Sequence, residues 1–523
     1  MPRTTTSTGQ GLELWQEAER RLARGQGAEA LALIDRWCDR EPGNTGAHLM
    51  AAAVAHALGR LRESAAHAID AADTDVDDAA LLGSTITGLL KTGEVARARQ
   101  CMEHPLLRQA LPGRTLLGFA SAMQAMGCHA EALALIDRAL AGGMDDPGVR
   151  FQRSIELMFN GRSGEAEREV EEALASGLAN GRASLMLSRQ RRQTPERNHV
   201  DDIRRRIGRA DPASEDRAAL EFALYKEYED LELHEEAWQA LERGNRVMAG
   251  MLRPDAGAHT RRIDALIERT AARDRATASE PATNPQPIFI VGMPRSGTTL
   301  LDRILGAHTQ VTSAGELGDF GRQLRWAADC PGVEPIDERL LERLDRVDFA
   351  EVGRRYLSQT RWRSATVRYI DKLPVNYQLA GLVARALPNA RILHMVRDPM
   401  ATCFSNYRAY FGAGYGYSYD LAALAAHHHD YRRLMRHWHR TVPGRILDVD
   451  YARLAADPEA ALRDILEFCG LDFEPGCLDL RNNRAPVATL SAMQVGGGIR
   501  ASEDDAWRRY AGHLSGLASA LSS

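Results

Sequence analysis

The stretch IFIVGMPRSGTT, residues 288–299, sets the fold of the C-terminal half. Ile288 to Val291 form a short, wholly apolar run, as a strand buried on both faces requires. Gly292, four intervening residues and Gly297 then make a turn, and Leu300, Leu301, Ile304 and Leu305 follow at helical spacing. Strand, glycine-rich turn and helix are the context of an anion-binding loop. The backbone N–H groups of Ser296, Gly297, Thr298 and Thr299 are expected to face the anion, assisted by the helix N-terminal dipole. Loops built for a nucleoside triphosphate place a lysine directly after the second glycine. Here that position is Thr298, and the cation sits at Arg295. The contact that bridges β- and γ-phosphates is therefore missing, while the arginine still offers a fork to a tetrahedral anion. A ligand with one 5′ anionic group joined to a transferable group suits such a loop.

The N-terminal half repeats itself. Gly25, Gly59, Gly93, Gly127 and Gly161 stand 34 residues apart, and the fifth residue after each is small: Ala30, Ser64, Ala98, Ala132, Ala166. Pro42, Ala139 and Ala173 fit the same register. A 34-residue period with glycine at a turn and alanine at a close helix crossing is the tetratricopeptide signature, two antiparallel helices per unit. One unit alone cannot bury its apolar stripe, so the units stack. The register breaks near Pro195. The charged segment 187–212 reads as solvated helix and loops, and helical periodicity returns at 221–248 as a diverged or capping unit. The domain division expected is a disordered start (1–10), a helical array (11–275), a linker (276–287) and an α/β domain (288–523). The fold class is thus multidomain, an N-terminal α-solenoid followed by a P-loop-like α/β domain with a mainly parallel sheet. A chain of 523 residues has room for both.

Bulk composition narrows the function classes. Net charge is -5, against a chain whose whole surface binds nucleic acid. No apolar run reaches 18 residues, so no membrane span is expected, and the start MPRTTTSTGQGLELW has no secretory h-region. The 7 cysteines are dispersed without a CxxC pair, which fits reduced thiols in a cytoplasm better than a disulfide framework or a zinc site.

A second motif, RILHMVRDPMATCFS (391–405), is an apolar strand ending in Arg-Asp-Pro with Ser405 eight residues after Arg397. PRSGTT together with this motif resembles the sulfotransferases that use 3′-phosphoadenosine 5′-phosphosulfate (PAPS). AGEL (314–317), DKLP (371–374) and VDYARL (449–454) sit in the order found in bacterial tetratricopeptide-containing members, and LERGN (241–245), before the linker, belongs to the same bacterial pattern; these motifs also resemble the tyrosylprotein sulfotransferases. The resemblance implies a loop at Arg295 to Thr299 for the 5′-phosphosulfate and a pair, Arg397 and Ser405, for the 3′-phosphate, with Arg408 close to where a relative has a further cation. It implies Glu316 as the base, Lys372 and Arg295 as stabilisers of the transferring sulfate, Ser491 near the bridging oxygen and Tyr451 against the nucleotide. Sulfuryl transfer parallels phosphoryl transfer with less charge on the moving group, so no metal is expected.

The function these residues imply is transfer of sulfate from PAPS to a hydroxyl, tyrosine in a peptide or protein being the favoured acceptor. A carbohydrate or small hydroxylated metabolite is the alternative acceptor. The rival classes are a P-loop kinase or NTPase and a non-catalytic scaffold. The repeat array suits a peptide or protein partner, and a homodimer is compatible with it. One segment departs from the family pattern: in TLSAMQVGGGIRASEDDAWRRY (489–510) the arginine expected after Gln-Val is Gly496, leaving Arg500 or Arg508 as substitutes. Gly496, Gly497 and Gly498 suggest a mobile lid. His427, His428 and His429 cannot share one helix face and read as a solvated helix surface. The arginines between 432 and 445 could wall an acidic acceptor.

Overall fold

The computed structural model describes residues 9–271, 286–364, 366, 368–479 and 505–522. Linker residues 276–285, the N-terminal segment 1–8, Ser491, Arg500 and the glycines 496–498 lie outside the described residues. So does most of the 489–510 segment.

Each 34-residue unit is a helix pair. The first is α1 (Gly9–Ala23) and α2 (Gly27–Arg40), the second α3 (Thr45–Ala57) and α4 (Leu61–Asp73). Three more pairs follow up to Ala175: Ala79–Thr92 with Val95–Cys101, Gly113–Ala125 with His129–Ala141, and Pro147–Phe159 with Ser163–Ala175. The periodic glycines mark the turn inside each pair. Gly25, Gly59, Gly93, Gly127 and Gly161 all take left-handed backbone, with φ between +73° and +85°. That conformation is open to glycine at no steric cost and is strained for any residue with a Cβ. The small residues are where helices cross: Ala30, Ala98, Ala132, Ala139, Ala166 and Ala173 are fully buried. Ser64 is buried too, and its hydroxyl donates to Ala52 O at 2.8 Å.

Past Ala175 the register is lost as expected. The helix Val200–Ile207 buries only Val200 and Ile203 and leaves its charged side largely to solvent. A longer packed pair, Glu215–Asp230 and His234–Leu252, and the helix Ala256–Arg269 complete the helical half.

The α/β half is built on five parallel strands: β1 (Gln286–Gly292), β2 (Val311–Ser313), β3 (Arg368–Asp371), β4 (Arg391–Val396) and β5 (Ile446–Asp450). Their order is β2-β3-β1-β4-β5. β1 is central, with Phe289 opposite Asp371 of β3 and Gly292 opposite Met395 of β4. One sheet face packs Ile288, Ile290, Ile370, Leu393 and Met395 against Leu301, Ile304, Leu462 and Ile465. Because the chain leaves β1 toward β2 and β3 on one side and returns at β4 on the other, the connections diverge beside β1. In open parallel sheets that divergence leaves a crevice at the carboxyl ends of the strands.

The compact units cut across the compositional boundary. One comprises Met1–Asp145, Leu317–Ala365 and Arg385–Leu387, the other Asp146–Glu316, Thr366–Ala384 and Pro388–Ser523. Inside the first, the helix Phe349–Thr360 packs on the repeats. Gln359 Nε2 donates to Glu94 at 2.9 Å, the Ala96 amide donates to Gln359 Oε1 at 2.8 Å, and Arg355 pairs with Glu94 while lying 3.6 Å over the Trp326 ring. Inside the second, Asn245 of LERGN is buried and donates to Tyr407 O at 3.2 Å, so this motif holds the helix Pro399–Tyr407. Gly244, before it, lies against the Phe222 ring, where a Cβ would come within 3.0 Å.

Gly59 has open space around its Cβ position, so its left-handed φ of +79° is the whole reason for glycine there. Gly59→Ala is expected to cost about 1 kcal/mol or more and lower the melting temperature. Gly118 lies inside the helix Gly113–Ala125 with nothing near its Cβ position, and Gly118→Ala is expected to raise the melting temperature. Thermal melts of the two single variants check the pair of opposite signs.

Candidate active site

The anion-binding loop follows β1 directly. Gly297 caps the helix Thr298–Leu305 at φ +106°, and no side chain caps that helix start. A Cβ on Gly297 would come within 2.6 Å of the Tyr451 ring, so both the φ and the space demand glycine. As the first helical residues, Thr298 and Thr299 have N–H groups that no intrahelical carbonyl can reach. Ser296 corrects one expectation: its N–H donates to Met293 O at 3.2 Å and is turned into the loop. Its Oγ, in contrast, is buried without a hydrogen-bond partner among the described residues. A buried orphaned hydroxyl beside a helix start that no side chain caps is the donor set of an anion site.

Arg295 holds a left-handed φ of +68°, unusual for a side chain of its size. Its conformation is fastened by the second motif. Arg397, at the end of β4, donates to Arg295 O at 3.1 Å, and Arg295 Nε donates to Ser405 Oγ at 3.3 Å. Asn406, fully buried next to Ser405, donates to Pro294 O at 2.7 Å and Thr402 O at 2.9 Å. Tyr451, the first residue after β5, is buried with its ring 4.5 Å from the Arg397 guanidinium. Arg295, Arg397, Ser405 and Tyr451, far apart in sequence, thus meet at the ends of β1, β4 and β5. Arg408 is directed elsewhere, to the Tyr225 hydroxyl and the Phe404 ring.

The other side of the loop is formed by the ends of β2 and β3. Ala314 N–H donates to Ile370 O, and Lys372 N–H donates to Gly315 O at 2.9 Å, which continues the β2–β3 ladder past both strands. That extension sets Glu316 beside Lys372, whose Nζ donates to Glu316 Oε1 at 2.5 Å. Lys372 is almost completely buried, while the Glu316 side chain is 37% exposed. The ammonium is therefore shielded from water and the carboxylate opens to solvent. Lys372 pairs with Glu316 rather than with its neighbour Asp371, which is fully buried. Asp302, on the helix after the loop, is also buried; burial raises its carboxyl above the ordinary range, against the lowering effect of Lys372 and a hydrogen bond from Ser313. Burial first and the charge of Glu316 second push the Tyr415 phenol upward.

The three adjacent histidines correct another expectation. His427 and His428 are buried, not solvated. The His427 ring stacks on Tyr417 at 3.6 Å and on His259 at 4.3 Å, and its Nε2 lies 3.0 Å from Tyr377 Oη. The helix Leu421–Thr441 is buried on more than one side, so its polar residues say little about exposure. Arg433, one of the arginines after them, pairs with Asp264 and with Asp430 at 2.9 Å.

With this geometry in view, residues 287–475 match the model of the Sulfotransferase family, and the α/β half carries a sulfotransferase-family domain. An uncharacterized protein of Aquifex aeolicus is 34% identical over 308 residues, spanning 57% of this chain and 40% of that protein. Protein-tyrosine sulfotransferase 2 of Gallus gallus is 29% identical over 203 residues, spanning 36% of this chain and 51% of that protein. The chain thus spans about half or less of the length of these relatives. The sulfotransferase domain of the Synechococcus PCC 7002 olefin synthase superposes with a TM-score of 0.32 at 24% identity, covering 44% of this chain and 91% of that one.

Burial pushes the His428 imidazole down to about 4. The unfolded chain takes up that proton near pH 6.5, while the folded chain refuses it until about pH 4. Stability present above pH 6.5 is therefore lost as pH falls from about 6.5 toward 4, by on the order of 3 kcal/mol from this group. Melting temperature is expected to fall across that window, and less steeply in His428→Gln.

Proposed function

We propose that this protein moves the sulfuryl group of PAPS to an acceptor hydroxyl, tyrosine in a peptide or protein being the favoured acceptor. The observation that carries this reading is the buried Lys372 held at 2.5 Å from the half-open carboxylate of Glu316, next to a loop that lacks the triphosphate lysine. In the proposed reaction Glu316 takes the proton of the acceptor hydroxyl. The acceptor oxygen forms a bond to sulfur in line with the departing 5′-phosphate oxygen. The bond between sulfur and that oxygen breaks, its electron pair stays on the phosphate, and 3′,5′-ADP is released.

Positioning and electrostatics supply the acceleration. Lys372 and Arg295 face the negative charge that grows on the sulfuryl oxygens and the leaving phosphate. The amides of Thr298 and Thr299 and the Ser296 hydroxyl hold the 5′ end. Arg397 and Ser405 are assigned to the 3′-phosphate, and Tyr451 to the nucleotide. In the ligand-free protein Lys372 is committed to Glu316; when sulfate is bound, the ammonium turns to its oxygens and the carboxylate is released to act as base. Buried lysine next to an exposed carboxylate is an arrangement that this exchange would use. Support for the phenolic acceptor comes from the similarity to a protein-tyrosine sulfotransferase. No described helix is long and apolar enough to cross a membrane.

Glu316→Gln is expected to keep 3′,5′-ADP affinity within about threefold and to reduce transfer from labelled PAPS by about a hundredfold or more, the scale of a positioned general base. Unchanged turnover would remove Glu316 from this role. Gly297→Ala drives a Cβ into the Tyr451 ring and is expected to abolish nucleotide binding by calorimetry while leaving the helical circular-dichroism signal in place.

A further inference from the structure

The repeat half contains a cluster that neither the repeat register nor sulfuryl transfer uses. Cys38 on α2, His48 on α3 and His67 on α4 each present one ligand atom, and these atoms lie within 4.8 Å of one another. Asp35 and Glu63 share His67 in a second set of the same size. The cluster lines a cavity of about 610 Å³ into which Asp39 and Asp70 also face.

The hydrogen bonds around the two rings are the informative feature. His48 is 94% buried, being 6% exposed. Its Nε2 lies 3.1 Å from Pro42 O, which fixes the proton on that nitrogen and leaves the lone pair on Nδ1. His48 Nδ1 is buried without a hydrogen-bond partner, the nearest carboxylate oxygen being that of Asp70 at 3.8 Å. His67 matches it in part: its Nδ1 is buried without a hydrogen-bond partner, and its Nε2 lies 3.2 Å from Asp35 Oδ1, an oxygen that is itself buried without a hydrogen-bond partner. One ring nitrogen held by an oxygen, the other left with an unused lone pair, as in His48, is how metal-bound imidazoles are oriented. The two rings beside one thiol, with carboxylates behind them, leave two buried nitrogens unsatisfied unless a cation accepts their lone pairs.

We propose that Cys38, His48 and His67 bind a divalent transition-metal ion, zinc by ligand type, with a water as the fourth ligand. Thiolate and imidazole together favour zinc over magnesium or calcium, which take oxygen donors. Tetrahedral distances of about 2.0–2.3 Å require the three atoms to close by roughly 1 Å, which small side-chain rotations provide. Binding releases one proton, because the metal-ligating form of Cys38 is the thiolate. The thiolate and the Asp35 carboxylate then balance the charge of the ion. The bound ion ties α2, α3 and α4 together across the first two repeat units.

Another group, His394, His439 and Asp448, has comparable spacing. Its nitrogens are already committed: His394 Nδ1 to Asp448 at 2.7 Å and His394 Nε2 to Tyr431, with His439 Nε2 2.9 Å from Asp448. It reads as an internal network and not as a second metal site.

The test uses the full chain, stripped with a chelator and titrated with cobalt(II) or zinc. One cobalt per chain is expected, with a thiolate-to-cobalt charge-transfer band in the near ultraviolet. Cys38→Ser should remove the band with the helical signal intact, and His48→Ala should weaken zinc binding by about a hundredfold. Cys101→Ala and His439→Ala should leave both readouts unchanged, and zinc should raise the melting temperature of the wild type but not of Cys38→Ser. A cobalt spectrum without the band, a band that survives Cys38→Ser, or zinc affinity equal in wild type and His48→Ala would overturn the assignment.

Discussion

The site depends on one hydrogen bond between two motifs a hundred residues apart in the chain. The Arg397 guanidinium, leaving the end of β4, donates to the carbonyl of Arg295, in the loop after β1. That bond fixes a residue whose own backbone is left-handed and strained. Asn406 and Ser405 brace the same loop from the following helix, and Asn245 braces that helix in turn. The strain is thus over-determined by its surroundings, as strained residues at working sites are.

A second constraint is the buried ammonium of Lys372. Its charge is offset by the half-open carboxylate of Glu316. A buried lysine with one exposed partner is a poor stabilising element, since the desolvation of the ammonium is only partly offset. Its position at the ends of β2 and β3, across the loop from Arg397, makes sense as a cation kept ready for a developing negative charge.

Much of this was legible in the sequence. The 34-residue glycine register foretold five left-handed turns because left-handed backbone and glycine are so tightly linked. The apolar run at 288–291 foretold a fully buried central strand, since only a strand covered on both faces omits the polar alternation. The sequence could not reveal that Ser296 turns its amide inward, because loop amides carry no side-chain signature. Nor could it show that His427 and His428 are buried: their helix is covered on several sides, so periodicity ceases to report exposure. The Cys38, His48 and His67 cluster was invisible for a related reason. Its members sit on three helices at spacings that match no metal-binding pattern, and cysteine spacing alone pointed away from zinc.

In the proposed complex Arg295 with its loop and Arg397 with Ser405 grip the two anionic ends of one nucleotide. Calorimetry of wild type and Arg397→Ala against 3′,5′-ADP and 5′-AMP puts this grip to the test. Wild type is expected to prefer 3′,5′-ADP by about 2–4 kcal/mol, and Arg397→Ala to lose that preference while retaining 5′-AMP binding. Equal affinity of the wild type for the two nucleotides would contradict it.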